Sequence, residues 1–226
     1  MGGLRVERDG DVLRVTLARP ERRNAFDAEL IAALTAAFAD VGDARVVVLA
    51  GEGESFCAGA DIEWQRSAID LSFDENVEDA LRLYRMCATI DRCPAAVVAR
   101  VHGYALGGGS GLAACSDIAI ASTDAVFGFS EVKLGIIPAV ISPFVLPRIG
   151  RHARRYFLTG ERFGAQTALR IGLVDEVLSS GPHAVRTAKL LIREHPGGDE
   201  TAEIAARLRT SEEGQERLRA FFERRS

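Results

Sequence analysis

The sequence predicts an α/β protein whose functional groups lie where strands end. Two short apolar runs rich in valine, 45–50 and 95–101, are each followed by a glycine-rich turn, and after Pro138 the pattern becomes helical. Repeated strand, turn and helix units are typical of α/β folds, in which ligands bind beyond the carboxyl ends of the strands. A chain of 226 residues is long enough to bury one large core.

Each element follows from a local pattern. Strand-like segments flank a turn signal at 9–11, which predicts a hairpin over 4–17, and Asp27 can cap a helix that Gly42 ends. The other elements predicted in the first half are a strand buried on both faces over 45–50, a helix over 74–91, strands over 95–101 and 118–121, and a short helix over 112–115. In the second half we predict helices over 140–149, 151–159, 164–171, 182–195 and 199–225, with an extended piece over 174–177.

Composition and charge argue against several classes of function. The formal net charge of −4 and the pI of about 5.7 give no basic field that would attract nucleic acid. No apolar stretch has the length of a membrane span or the place of a signal peptide, so we expect a cytoplasmic protein. The four cysteines form no C-x-x-C pair and the four histidines have no ligand spacing, so we expect reduced thiols and no metal site.

Two glycine-rich turns are the strongest candidates for function: the first turn (55–62) and the second turn (102–111), in which three glycines follow one another. Consecutive glycines cost conformational entropy, but they let the backbone approach a ligand closely with free amide groups. Each turn could direct one N–H at the same oxygen, as an oxyanion hole requires, and each donor would be worth about 3 kcal/mol in the transition state. The alternative is that these are ordinary loop glycines.

Other glycine motifs fit the second turn poorly. Gly103 and Gly108 match a P-loop, but Gly109 stands where its lysine belongs. Leu112 replaces the last glycine of a dinucleotide-binding pattern. Leu112 also replaces the second flanking glycine of a nucleophile elbow around Ser110, so a serine hydrolase is disfavoured.

Glu131 is the candidate acid/base group. It lies among apolar residues and glycines in 127–138, where partial desolvation would raise its pKa towards the range useful for moving protons at neutral pH. The alternative is a solvated charge or a salt bridge to Lys133.

Three segments together resemble the enoyl-coenzyme A hydratase/isomerase (crotonase) family: FCAGADI at 56–62, HGYALGGGSGLAACSDIAIA at 102–121 and FGFSEVKLGIIPAVISPFVLPRIG at 127–150. RPERRNAFD at 19–27 is similar to the N-terminal signature of the family, and SEEGQERLRAFFERR at 211–225 to its C-terminal helix. Several motifs in the same order make the resemblance specific.

The resemblance implies a crotonase-type superhelix of repeated ββα units with a helical C-terminal part, in place of a doubly wound sheet. Residues 1–150 would be the core that binds acyl-coenzyme A and carries catalysis, and 151–226 would be the helical part that caps the core and makes oligomer contacts. Members usually form trimers, so we expect a homotrimer or a dimer of trimers. Coenzyme A is part of the acyl thioester substrate, so no separate cofactor is expected.

The resemblance also implies roles for individual residues. The backbone N–H groups of Ala60 and Gly108 would hold the thioester oxygen as an enolate forms. The other residues implied to bind substrate are Ala58, Asp61 and Ile62 along the adenine and pantetheine channel, Gly111, and Arg22 or Arg23 at the phosphates of coenzyme A.

Hydratases of this family typically use two glutamates, and this sequence supplies one. Glu131 matches the second, whereas Gly111 stands where the first belongs. We predict a hydratase, because the segment SEVKLGIIPAVISPFV is most similar to the branch that hydrates branched substrates such as methylglutaconyl-coenzyme A. Glu131 would then act with a substrate carboxylate or an ordered water.

Two alternatives remain open. An enoyl-coenzyme A isomerase would need only Glu131, which would carry a proton from C2 to C4. The segment 178–182 is shorter than in most family members, by about one helix, which also allows a catalytically degenerate paralogue that binds acyl-coenzyme A or a partner subunit.

Overall fold

The computed structural model describes residues 3–178 and 198–223. These residues fall into two compact units, one ending at Leu178 and the other containing 198–223. The first unit combines two β-sheets with helices, which confirms the predicted α/β class. Whether catalysis and capping divide at residue 150 stays a prediction.

The larger sheet has six strands: β1 (Leu4–Asp9), β2 (Val12–Leu17), β3 (Val46–Gly51), β4 (Ala96–Val101), β6 (Ile118–Ser122) and β9 (Glu176–Leu178). Their order is β1-β2-β3-β4-β6-β9, and only the β1–β2 hairpin is antiparallel. The hairpin and the strands predicted at 45–50, 95–101 and 118–121 are confirmed to within one residue at each end.

A smaller sheet was not foreseen from the sequence. It consists of β5 (Tyr104–Leu106), β7 (Val126–Gly128) and β8 (Arg162–Gly164), in the order β5-β7-β8. Cys57 extends it through an isolated parallel bridge to Ala105. Each strand has only three residues, which is too short for an alternating hydrophobic pattern to appear in the sequence.

The helices of the first unit are α1 (Ala28–Ala39), α2 (Ile62–Ser67), α3 (Phe73–Asp91), α4 (Gly108–Cys115), α5 (Ser142–Ile149), α6 (Ala153–Thr159) and α7 (Ala165–Ile171). Short 3-10 helices lie at Pro20–Arg22, Ala68–Asp70, Ser130–Leu134 and Gly150–His152. Helix α1 ends at Ala39 rather than at Gly42, and α3 begins at Phe73 because Ser72 and Glu75 form a capping box.

The two sheets and the helices repeat as ββα units. After β3 the chain touches the smaller sheet at Cys57 and enters α2, and after β4 it forms β5 and enters α4. After β6 it forms β7 and the 3-10 helix Ser130–Leu134. Each unit therefore carries the chain from the larger sheet to the smaller one before its helix begins.

The core lies on one face of the larger sheet. Alternate residues of β3 and β4, such as Val47, Leu49 and Val97, are fully buried, whereas their neighbours Val46 and Val48 are only partly buried. The prediction that 45–50 is buried on both faces was therefore wrong. Strand side chains alternate between faces, and the second face is only partly covered by the described residues.

The second unit contains α8 (Gly198–Thr210) and α9 (Glu212–Glu223). The prediction of a single helix over 199–225 was wrong, because Ser211 separates two helices. The side-chain oxygen of Ser211 accepts a hydrogen bond from the N–H of Gly214 at 3.0 Å. The helix predicted over 182–195 lies outside the described residues. Within the described ranges, no helix combines the length and apolar character that crossing a lipid bilayer requires.

The cap of α1 gives a stability prediction. Asp27 accepts from the Leu30 N–H at 3.0 Å through one oxygen and pairs with Arg19 at 2.6 Å through the other. Asp27→Ala should lower the free energy of unfolding by about 1–2 kcal/mol, because it removes the cap. Asp27→Asn keeps a capping oxygen and should lose less. Urea unfolding of both variants tests this, and equal losses would contradict a capping role.

Candidate active site

The first turn is fixed by backbone hydrogen bonds on both sides. On one side the Phe26 N–H donates to the carbonyl oxygen of Gly59 at 2.9 Å. On the other, the Cys57 N–H donates to the carbonyl oxygen of Tyr104 in β5, also at 2.9 Å. Residues 57–60 therefore lie between the N-terminal segment and the smaller sheet, and have little freedom to shift.

Asn24, which the sequence analysis did not single out, joins three segments behind this turn. It is fully buried with φ of +55°, and its side-chain oxygen accepts from the Arg19 N–H at 2.8 Å. Its amide group donates to the carbonyl oxygens of Glu52 and Ser55, each at 2.8 Å. Asparagine tolerates this left-handed conformation better than most residues, and its position inside the segment 19–27 was the available signal.

The backbone N–H groups of Ala60 and Gly108 have no acceptor among the described residues. Ala60 forms a parallel bridge with Phe26, in which the hydrogen bonds involve Gly59 and Asp61 and leave the Ala60 N–H unused. Gly108 is the first residue of α4, so its N–H has no acceptor within the helix. The positive end of the α4 dipole lies at the same place and favours negative charge there.

The three successive glycines each meet a different obstacle. A Cβ on Gly107, where φ is +51°, would lie 3.0 Å from Oε1 of Glu131. A Cβ on Gly108 would lie 2.6 Å from the Phe26 ring, and one on Gly109 would lie 2.1 Å from the carbonyl oxygen of Cys57. The second turn can thus approach Glu131 and the first turn only without side chains, which favours the functional interpretation over ordinary loop glycines.

The nucleophiles nearby have structural roles. Ser110 is fully buried in α4, and its hydroxyl donates to the carbonyl oxygen of Ala105 at 2.7 Å. Burial raises the pKa of the Cys57 thiol to about 12, so little thiolate exists at neutral pH. All four cysteines are unpaired, as predicted, and Cys57, Cys87 and Cys115 are buried.

Glu131 lies in the 3-10 helix that follows β7. Its Oε2 atom is buried without a hydrogen-bond partner in the described part of the chain, and its carboxylate forms no ion pair there, with Lys133 or any other residue. Burial raises the pKa of Glu131 above its ordinary value, while a hydrogen bond from its own backbone N–H opposes this. The carboxylate is therefore poised to take a proton.

A cleft of about 300 Å³ brings these groups together. Ala60 and Gly108 line it with Glu131, and Ala58 and Gly59 also contribute. Its apolar wall includes Phe26, Leu83, Ile136, Pro138, Val140 and Ile141. Donors for an anionic oxygen and a proton-accepting carboxylate thus share one largely apolar space.

Gly111 does not line this cleft. It is buried in α4, and a Cβ at this position would lie 2.5 Å from Cγ2 of Ile141. Ile141 is the residue between Gly111 and the cleft, with 2 % of its surface exposed. Gly111 was predicted to bind substrate, but it presents no surface to the cleft.

The residues predicted to contact coenzyme A lie near the first turn. Asp61 caps α2 through the Glu63 N–H at 2.9 Å and accepts from Arg22 at 2.9 Å. Burial alone would raise the pKa of Asp61, but the hydrogen bonds from Arg22 and the α2 amides outweigh burial and lower it. Ile62 is 79 % exposed beside them. Arg22 thus donates hydrogen bonds to both Asp61 and Glu63 in this structure.

The sequence as a whole matches the family model described as Enoyl-CoA hydratase/isomerase over residues 7–220. The chain belongs to this family. It is 33 % identical to a putative enoyl-CoA hydratase of Thermus thermophilus, with 96 % of each chain covered.

Solved structures of family members share the fold. A putative enoyl-CoA hydratase/isomerase (crotonase) of Legionella pneumophila is 37 % identical with a TM-score of 0.75, covering 98 % of this chain and 96 % of the other. An enoyl-CoA hydratase of Shewanella pealeana is 38 % identical with a TM-score of 0.75, covering 98 % and 94 %. These matches confirm the predicted crotonase-type fold.

The burial of Glu131 predicts a pH-dependent effect on stability. Because its folded pKa is raised, the folded wild-type protein holds this proton more tightly than the unfolded chain, and stability falls as pH rises through the window above 4.5. Glu131→Gln should therefore gain stability relative to wild type at pH 7, and the gain should vanish below pH 4.5.

Glu161→Gln is the matched control. A hydrogen bond from Arg155 lowers the pKa of Glu161, so its substitution should reduce stability at pH 7 instead. Thermal unfolding of the three proteins between pH 4 and 8 measures both trends. The same sign for both variants would contradict desolvation at Glu131.

Proposed function

We propose that this protein is an enoyl-coenzyme A hydratase, which adds water across the 2,3 double bond of an enoyl thioester. One observation carries the proposal: the unpaired N–H groups of Ala60 and Gly108 belong to residues that line the same cleft as Glu131, whose Oε2 atom is buried without a hydrogen-bond partner among the described residues. Membership of the enoyl-CoA hydratase/isomerase family supports this chemistry.

Each of these groups would have a separate role in water addition. The thioester oxygen accepts from the Ala60 and Gly108 N–H groups, which stabilise the charge that develops there. Glu131 takes a proton from water as the water oxygen bonds to C3. The C2=C3 electron pair moves into the carbonyl group and gives an enolate. Glu131 then returns the proton to C2, and the thioester carbonyl re-forms. No atom besides those of water is gained.

Preorganisation explains why the backbone suits this role. The first turn is held from two sides, and α4 begins at Gly108, so neither donor needs to reorganise as charge develops. The low polarity of the wall strengthens these hydrogen bonds relative to water. Each donor would contribute about 3 kcal/mol to transition-state stabilisation.

The substrate contacts outside the reacting groups belong to the same proposal. Ala58, Asp61 and Ile62 would lie along the adenine and pantetheine part of coenzyme A, and Arg22 or Arg23 would approach its phosphates. Arg22 would have to give up part of its pairing with Asp61 and Glu63 to do so. A trimeric or paired-trimeric assembly is likewise proposed from the family.

A second candidate is an enoyl-coenzyme A isomerase. It is favoured by the absence of a side chain at position 111, because transfer of one proton from C2 to C4 needs a single carboxylate and no water. Glu131 would carry that proton while the same two N–H groups stabilise the dienolate.

Three substrates distinguish the candidates by absorbance of the conjugated thioester. A hydratase should lower the absorbance of crotonyl- or 3-methylglutaconyl-coenzyme A, whereas an isomerase should raise that of 3-hexenoyl-coenzyme A. If no substrate turns over while coenzyme A thioesters still bind, the protein is a binding paralogue and the hydratase proposal is wrong.

The role of Glu131 gives a direct kinetic prediction. Glu131→Gln should lower kcat by about 10²–10⁴-fold, because the amide cannot accept the proton, and should leave substrate binding nearly unchanged. Glu161→Gln, which lies outside the cleft, serves as the control and should keep wild-type rates. Steady-state rates combined with binding of a saturated acyl-coenzyme A measure both, and retained activity in Glu131→Gln would refute its acid/base role.

A further inference from the structure

Position 111 lies one turn into α4, behind the wall of the cleft. The Gly111 N–H donates to the carbonyl oxygen of Gly107 at 3.1 Å, and Gly107 itself is the non-helical residue before α4, with φ of +51°. A Cβ on Gly107 would be 3.0 Å from the Glu131 carboxylate. A side chain at position 111 would instead project towards Ile141, which lines the cleft together with Glu131.

Ile141 occupies the space into which such a side chain would project. A Cβ on Gly111 would lie 2.5 Å from Cγ2 and 3.0 Å from Cβ of Ile141, so the obstacle is the branch point of the side chain and not a flexible end. β-branched side chains have few alternative rotamers. Rotating the Ile141 side chain out of this space is therefore costly.

The backbone of Ile141 is fixed as well. Its carbonyl oxygen accepts from the N–H groups of Phe144 at 3.1 Å and Val145 at 3.0 Å, at the start of α5. Helices α4 and α5 pack directly on each other. Ile141 could move away from Gly111 only if the start of α5 moved too.

From this geometry, and resting on the proposed function, we infer that Ile141 is a specificity-determining residue of the cleft. Its side chain fills the volume that a side chain at position 111 would need, and so keeps Glu131 as the only carboxylate that the described residues bring to the reacting end. It also adds hydrocarbon to the wall of the cleft, in which no second carboxylate among the described residues takes part.

A first experiment tests the packing. Alanine is more favourable than glycine in the interior of a helix, so Gly111→Ala should raise Tm wherever the added methyl group fits. We expect Gly111→Ala to lower Tm in the wild-type protein and to raise Tm in the Ile141→Ala protein. The same sign of shift in both backgrounds would overturn the inference.

A second experiment tests the chemistry through pH profiles of kcat/KM for crotonyl-coenzyme A. Wild type and Ile141→Ala should lose activity only at low pH, where Glu131 becomes protonated and can no longer accept a proton. Gly111→Glu combined with Ile141→Ala should add a second ionisation limb, which Gly111→Gln combined with Ile141→Ala should lack.

Identical profiles for the glutamate and glutamine double variants would mean that position 111 does not reach the reacting end, and would overturn the inference. So would a Gly111→Glu single variant that keeps the wild-type Tm and gains the second limb, because Ile141 would then be no obstacle. If wild type hydrates no enoyl thioester, the proposed function fails, while the Tm shifts still test Ile141 independently.

Discussion

The site depends on the way the backbone of the first turn is held from both sides. Phe26 and Tyr104 belong to segments far apart in the chain, and their hydrogen bonds to Gly59 and Cys57 hold the turn while the Ala60 N–H has no acceptor among the described residues. A donor held without a partner gains no hydrogen-bond energy within the unliganded protein. The fold can leave this one unsatisfied because the surrounding hydrogen bonds fix the turn independently of it.

The second turn can approach the first turn closely because it has glycines where side chains would clash. Gly108 and Gly109 lie against the Phe26 ring and the Cys57 carbonyl oxygen, so the start of α4 can approach the first turn only as bare backbone. Gly107 leaves room for Glu131, whose carboxylate is thereby held in a poorly hydrated place and has a raised pKa. Three glycines in a row thus serve three contacts, and the loss of helix propensity is the cost of bringing donors and carboxylate together.

Sequence patterns predicted the larger elements and missed the smaller ones. The hairpin, α1 and the strands of the larger sheet have enough residues for hydrophobic periodicity to appear. Strands β5, β7 and β8 and the six-residue helix α2 are too short for this, although Asp61 followed by Glu63 was a capping signal for α2. Ser72 and Ser211 were similar cap signals: the predicted start of α3 lies within one residue of Phe73, whereas overlooking Ser211 joined α8 to α9.

The sequence by itself determined which groups are available: two glycine-rich turns, one glutamate in an apolar segment, and no side chain at position 111. It also determined the family, because several motifs occur in one order. Only the tertiary structure decided that the Ala60 and Gly108 N–H groups are both free, since their acceptors could have come from any segment. It also decided what replaces the absent side chain: Ile141 lies 30 residues from Gly111 in the chain, and contact between them arises only because α4 packs on α5.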